Sequence, residues 1–198
     1  MSHLPTLAQF LAAPLAELRP YAPASIVYAA AGTRRSAALA GLSTQSDAYV
    51  SWSRGQMVEV LQRIFAHHVQ HIFTIPATPG QFAEVGDYRR KLVRWIDWGV
   101  AGDAALAEYA ALGWRVRLHT IGVPELAAAE ARLAQLPAAR NPAAKTLWYM
   151  VVADTELLWE QLLLSAVTAQ AKTRAAAAQA FYGEAVPPIE LYLAFGKP

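Results

Sequence analysis

Ser25-Ile-Val-Tyr-Ala-Ala-Ala-Gly-Thr-Arg-Arg-Ser-Ala-Ala-Leu39 joins a short apolar run to a glycine, two arginines and an alanine-rich stretch. Residues 25–30 read as a strand, Gly32 as a tight turn and the residues after it as the start of a helix. Such a junction favours an anion. Glycine lets the backbone come close to a ligand, the free N–H groups of a helix start point outward, and the helix dipole adds positive potential there. Arg34 and Arg35 are adjacent, so on a helix they face different directions and do not share one task. Spacing alone leaves two readings open: at least one guanidinium reaches the anion, or both are solvated surface charges.

On either side of this junction, apolar runs alternate with helical patterns and turn signals, the order expected of βαβ units around a parallel sheet. Ile72 to Ile75 is a second strand, closed by Pro76 and Pro79, and Trp114 to Ile121 alternates polar with apolar before Gly122. Leu147 to Val152 and Ile189 to Phe195 are almost uniformly apolar, as in strands buried on both faces. The clearest helix is Arg54 to His68, with Met57, Leu61, Ile64, Phe65 and His68 on one face. Further helices are predicted at Tyr88 to Gly99, at Asp103 to Leu112 with Gly113 as its stop, and at Glu125 to Leu136, opened by Pro124. Asp154 caps another, Thr155 to Ala171, which is apolar around most of its circumference and is expected to be deeply packed. Arg174 to Ala180 reads as helix rather than low complexity. The fold class is therefore α/β, an open and mainly parallel sheet with helices on both faces, in a single domain over residues 1–198. The sequence stops at Phe195-Gly-Lys-Pro198, directly after a strand with nothing left to cover it, which points to a longer parent protein.

Composition closes off several functions. With 55% hydrophobic residues among 198, the chain has ample material for a core and is not disordered. The formal charge is only +2 and the 17 basic residues are scattered, which is not the footprint of a nucleic-acid binder. The absence of cysteine excludes disulfides, thiolate metal sites and cysteine nucleophiles, and fits a reducing, cytoplasmic setting. No stretch reaches the roughly 18 uncharged apolar residues of a membrane span. His67, His68 and His71 sit at the end of a helix, where partial positive charge suits the dipole, and lack a neighbouring carboxylate or cysteine to complete a metal site. Trp95, Trp98, Trp148 and Trp159 read as core or dimer-interface aromatics.

The strand with Gly32-Thr33-Arg34-Arg35 resembles the first motif of the cis-prenyltransferases, the undecaprenyl diphosphate synthase-like superfamily, Asp-Gly-Asn-Gly-Arg-Trp. It is closer still to the Asp-Gly-Thr-Arg-Arg variant of their diterpene-processing relatives, the tuberculosinyl transferase and kolavelool synthase group. Gln45-Ser-Asp47-Ala-Tyr49 is similar to an acidic, tyrosine-bearing segment of that group, and Gly86-Asp87-Tyr88 falls in the loop after the second strand, where a Gly-Asp pair also occurs. Phe181-Tyr-Gly-Glu184 and the following Ile189-Glu-Leu-Tyr-Leu-Ala-Phe-Gly196 resemble the group's Tyr-Tyr-Gly-Glu segment and a strand ending in Phe-Gly. The similarity runs from about residue 15 to residue 198, and the order and spacing of the motifs make it specific.

The resemblance implies an enzyme that ionises a C20 prenyl diphosphate, linear or cyclised, and quenches the cation with water or another nucleophile. It implies that Gly32, Thr33, Arg34 and Arg35 bind the diphosphate, that Tyr49 and Asp47 are catalytic, that the hydrocarbon lies in an apolar tunnel walled by the 54 to 68 helix, and that the protein is a homodimer using Mg2+. Two departures bear on this. Ala31 stands where the family has an aspartate that helps hold magnesium, and alanine cannot ligate a metal that demands oxygen. The metal ligands are thus unknown: substrate phosphates with a carboxylate such as Asp47 or Asp154, or no metal, with arginines alone neutralising the leaving group. Phe195-Gly-Lys-Pro198 also departs from the arginine- and serine-bearing motif that binds isopentenyl diphosphate in chain-elongating members, which disfavours elongation. Two alternatives remain: a chain-elongating cis-prenyltransferase using isopentenyl diphosphate, and a non-catalytic partner subunit of the same fold, a reading that Ala31 supports.

Overall fold

In a computed structural model, which describes residues 6–30, 33–84 and 87–195, the strands are β1 Ser25–Ala30, β2 His71–Thr74, β3 Arg115–Ile121, β4 Thr146–Val152 and β5 Leu191–Phe195. All neighbours pair in parallel, in the order β3-β4-β2-β1-β5. Helices α1 Leu7–Ala12 and α2 Leu15–Leu18 precede β1, and α3 Thr33–Leu39 and α4 Asp47–Ala66 connect it to β2. Next come α5 Pro79–Phe82, α6 Tyr88–Ala101 and α7 Asp103–Leu112 before β3, and α8 Ala127–Leu133 before β4. Finally α9 Thr155–Thr168 and α10 Arg174–Tyr182 lead to β5. The parallel α/β sheet read from the sequence is the observed one.

Register assigns the two faces. Ile26, Ile72, Leu147 and Val116 form one row across β1, β2, β4 and β3, and all are buried. They pack with Leu61 and Phe65 of α4, Ile96 of α6, Tyr109 of α7 and Leu133 of α8 in one continuous core. Each such side chain contributes roughly 1.5–3 kcal/mol by leaving water, so this face carries most of the stability.

The next row, Val27, Phe73 and Trp148, points the other way. Phe73 and Trp148 stack at 5.4 Å with rings 6° from parallel, and Tyr182 of α10 sets its edge against both, at 5.8 and 5.4 Å. Beside them the buried Arg115 donates to Thr146 Oγ1 at 3.0 Å and to Glu184 Oε2 at 2.8 Å. This ion pair ties the segment after α10 to the foot of β3.

Several expectations change. Helix α4 begins at Asp47 rather than Arg54, because Asp47 lies in its first turn, where a carboxylate complements the dipole, and the chain turns only at Ser46. The helix expected over Glu125 to Leu136 is a 3-10 turn at Pro124–Leu126 followed by the shorter α8. Gly113 does end α7, with φ 65°, a left-handed conformation that favours glycine.

The largest correction concerns α9. It was expected to be deeply packed, yet none of its residues is buried, and Leu163, Leu164 and Val167 are 60–74% exposed. The reason is spatial. Phe181 and Tyr182 of α10 already fill the sheet face over Phe73, Trp148 and His119, so α9 packs on α10 and keeps its outer apolar side uncovered by described residues of the chain. The three histidines do not converge: His67 ends α4, His68 adopts φ 68°, and His71 Nδ1 accepts from the Trp148 indole at 3.2 Å. Among the described residues, no helix is long and apolar enough to cross a membrane.

Candidate functional site

At the carboxyl end of β1 the chain enters α3 at Thr33, and α4 returns across the sheet beside it. Ligands of open α/β sheets bind at this end of the strands. Thr33 Oγ1 and the Tyr49 hydroxyl lie 2.8 Å apart in a hydrogen bond that either can donate. Two positions singled out in the sequence, 16 residues apart, are therefore in direct contact. Arg34 and Arg35 follow Thr33 on α3, and both are exposed. Ala31, Gly32, Gly86 and Gly196 lie outside the described residues.

Below the Thr33–Tyr49 pair is a cavity of about 170 Å³ between β1, α3 and α4. Its inner wall is apolar, formed by Tyr28 and Ala30 of β1 with Met57 and Val60 of α4. Thr33 and Ser36 from α3, and Trp52, Ser53 and Gln56 from α4, form the rest. No carboxylate and no histidine lines it among the described residues. A cation held there would meet an aromatic face and hydroxyls, not an anion that could trap it as an ester. Burial raises the Tyr28 phenol above its ordinary pKa, so this wall stays uncharged.

The start of α4, which carries Tyr49, is held by α6. Lys91 Nζ donates to the Gln45 carbonyl at 2.8 Å and to Gln45 Oε1 at 3.1 Å, and sits 4.4 Å from the centre of the Trp95 ring. The Trp95 indole donates to Asp47 Oδ1 at 2.9 Å, and Arg94 reaches the same carboxylate at 3.5 Å. Trp95 in turn sets its ring edge-on to Tyr49 at 6.2 Å. Asp47 thus lies toward α6 and touches Tyr49 through Trp95. Deeper along α4, Arg54 donates to the Gly99 carbonyl at 3.1 Å and pairs with Glu108, fastening the same helix to α6 and α7.

Among the described residues the cavity offers a magnesium ion hydroxyls and an amide but no carboxylate. No group of three or more histidine or acidic side chains gathers among the described residues. Asp154, one of the carboxylates considered for the metal, is taken up in capping α9, accepting from the backbone N–H of Glu156 at 2.8 Å and of Leu157 at 3.4 Å. Asp47 is bonded to Trp95.

Sequence reading missed Trp52, Ser53 and Gln56. The signal was present, since 52, 56 and 60 recur every four residues, as one helical face requires, but it became visible only once the helix was started at Asp47.

No family profile matches the chain. Across its whole length it is 42% identical to (+)-kolavelool synthase of Herpetosiphon aurantiacus, covering 68% of that protein. The chain belongs to the cis-prenyltransferase superfamily, in its kolavelool synthase group. It is an enzyme of the terpene synthase or prenyltransferase type. Its fold is shared with a crystal structure of lavandulyl diphosphate synthase from Lavandula x intermedia in complex with dimethylallyl diphosphate, with a TM-score of 0.58. The match spans 84% of this enzyme and 72% of the other, at 12% sequence identity.

Proposed function

We propose that the enzyme ionises a C20 prenyl diphosphate, linear or cyclised, and quenches the cation with water or another small nucleophile. The observation that carries this reading is the Thr33–Tyr49 hydrogen bond, which joins the proposed diphosphate turn to a cavity whose inner wall is apolar. In this reading Gly32, Thr33, Arg34 and Arg35 take the diphosphate, and the hydrocarbon enters the cavity past Tyr49. Two exposed guanidiniums with no ion pair among the described residues are free to take up phosphate charge, and each bidentate contact is strong and directional. Stabilising the departing diphosphate lowers the barrier to C–O cleavage, so the catalysis is mainly electrostatic.

Tyr49 then stands between leaving group and cation. Its hydroxyl, oriented by Thr33, holds a water for attack, the proton released on C–O bond formation passing to the departed diphosphate, and its ring offers an electron-rich face. Asp47 acts through Trp95 as a positioning residue that fixes the Tyr49 ring. Magnesium, the usual partner of a diphosphate, would be carried in by the substrate's own phosphates, since Ala31 offers no carboxylate. The apolar outer side of α9 supports a homodimer formed on that helix, in a protein suited to the cytoplasm by its lack of cysteine.

The decisive experiment incubates purified protein with geranylgeranyl diphosphate and with its bicyclic derivatives, with and without magnesium, and analyses the organic extract by mass spectrometry. Release of a diterpene alcohol is expected, and replacing Arg34 and Arg35 together by alanine should lower its rate at least ~100-fold, as loss of charge-assisted contacts does. A ladder of longer chains formed with isopentenyl diphosphate would replace this reading by chain elongation. Absence of any turnover would leave the partner-subunit role.

A further inference from the structure

The two helices that wall the cavity bring polar side chains to one seam. On α4, Tyr49, Ser53 and Gln56 stand at i, i+4 and i+7, a single stripe of a 3.6-residue helix, and on α3 Thr33 and Ser36 stand at i and i+3. The two stripes meet at the Thr33–Tyr49 hydrogen bond. From there the seam runs ~10 Å down α4 to Gln56, and Val60, one turn on, closes it with an apolar side chain.

The seam has hydrogen-bonding capacity that the protein does not fill. Thr33 and Tyr49 bond each other, whereas the side chains of Ser36, Ser53 and Gln56 are bonded to no described residue. Ser53 is half-buried while Ser36 and Gln56 are exposed, so the seam leads from bulk water into the cavity. Hydroxyls and an amide both donate and accept, and no charge stands among them, a set that suits water better than an anion. The same helix supplies the contrast. A second cavity, of about 220 Å³, lies farther along α4, where Ile64 and His67 line it with Phe10, Leu18, Ile26 and Leu191 among others. No serine, threonine or amide side chain among the described residues lines that one, so the polar stripe is confined to the cavity below Tyr49. With a share of ~30 Å³ for each water, the first cavity, of about 170 Å³, has room for several. When a prenyl chain enters, Tyr28, Ala30, Met57 and Val60 offer it an apolar wall, and water is retained along the seam.

We propose that Ser36, Ser53 and Gln56 form the water inlet of the site, the path by which the nucleophile reaches the position held by Tyr49, and that this inlet decides whether the cation ends as an alcohol or as an alkene. With the inlet filled, a water lone pair forms the C–O bond and the proton released passes to the departed diphosphate. With the inlet dry, the cation instead loses a proton from a neighbouring carbon to the same diphosphate, and a C=C bond forms. This rests on the reading that a prenyl diphosphate is ionised here, and it adds the residues that deliver the second reactant.

The test has two arms. In the first, purified protein is given geranylgeranyl diphosphate and its bicyclic derivatives, and the ratio of alkene to alcohol in the extract is measured by mass spectrometry. Ser53→Ala combined with Gln56→Leu should raise that ratio about tenfold or more, the loss expected when a hydrogen-bonded water is no longer held. Gln56→Leu alone should raise it by less, and carries the test if the double variant does not fold. Ser53→Thr, which keeps a hydroxyl, should leave the ratio near that of the wild type. In the second arm, binding of linalool, an alcohol, is compared by calorimetry with binding of myrcene, a hydrocarbon of the same carbon number. The wild type should prefer linalool, and the double variant should lose about tenfold of that preference. An unchanged alkene-to-alcohol ratio in the folded variants, or no preference for linalool in the wild type, would overturn the proposal. A preference for linalool in a wild type that turns nothing over would uphold the seam as a hydroxyl site and count against the proposed reaction alone.

Discussion

Helices α4 and α9 both carry long apolar stretches, and their fates are opposite. Helix α4 carries Arg54, Glu59 and Arg63 among its apolar residues, yet buries Val58, Leu61 and Phe65 and lines both cavities. Helix α9 is richer in leucine and buries nothing. Hydrophobicity alone therefore does not say what an apolar helix is against. In α4 the polar residues mark which stripe faces water, so the remainder must face the sheet. In α9 the absence of such a stripe means that more than one side needs cover, and α10 supplies only one. The first helix lines the candidate site, and the second keeps an apolar side that no described residue of the chain covers.

The largest effect should come from the contacts that seat α10 beneath α9. Arg115→Ala removes the buried member of an ion pair and leaves the half-buried Glu184 with only the longer contact to Arg117 at 3.5 Å, its Oε1 lacking a hydrogen-bond partner among the described residues. The expected cost is ~3–5 kcal/mol, read as a lower midpoint in chemical denaturation. On the α4 side, Tyr49→Phe should cut turnover roughly 10- to 100-fold with the denaturation midpoint unchanged, because only a hydroxyl in a polar mouth is lost. Equal turnover in the two proteins would remove that hydroxyl from the mechanism.

Replacing Leu163 and Leu164 together by glutamate should abolish self-association, measured by sedimentation, while changing the stability of the isolated chain by less than ~0.5 kcal/mol per site. A monomeric wild type would break the contrast between the helices. The smallest effect should be on pH dependence. Burial lowers the pKa of both His119 and His71, reinforced for His71 by the Arg115 charge, so the folded protein holds them neutral while the unfolded chain binds protons more readily. Their contribution is intact above the ordinary value of about 6.5 and is lost as pH falls below it, so melting at pH 5.5 should come earlier than at pH 7.5, with a shallower slope in His119→Gln.

The sheet was legible because its strands are written as short apolar runs between turn residues, and all five lie close to where those runs stand, although β5, expected to be buried on both faces, is an edge strand with Leu191 and Tyr192 exposed. The Thr33–Tyr49 contact was half legible: both residues stood out by resemblance, but their hydrogen bond depends on how α3 and α4 lean together, which no local pattern encodes. Trp52 and Ser53 were hidden because they precede Arg54, where the helix was expected to begin, and the turns from Asp47 to Ser53 are fastened by distant contacts from Lys91 and Trp95. The exposure of α9 could not be read at all, since it depends on which of two neighbouring helices reaches the sheet first. The aromatic pair Phe181-Tyr182 decides that.

The pairing of β1 with β5 has a consequence in time. Ile26 lies beside Leu191, and the join is clasped by Glu190, which accepts the Ala24 N–H at 2.6 Å, and by Ser25, which donates to the Pro188 carbonyl at 2.5 Å. A ribosome adding 5–20 residues per second needs roughly 10–30 s to travel from one strand to the other. Throughout that interval β1 has an open edge, able to recruit any extended segment nearby. Nascent chains should accordingly depend on chaperones until β5 emerges, because only then is β1 paired along both of its edges.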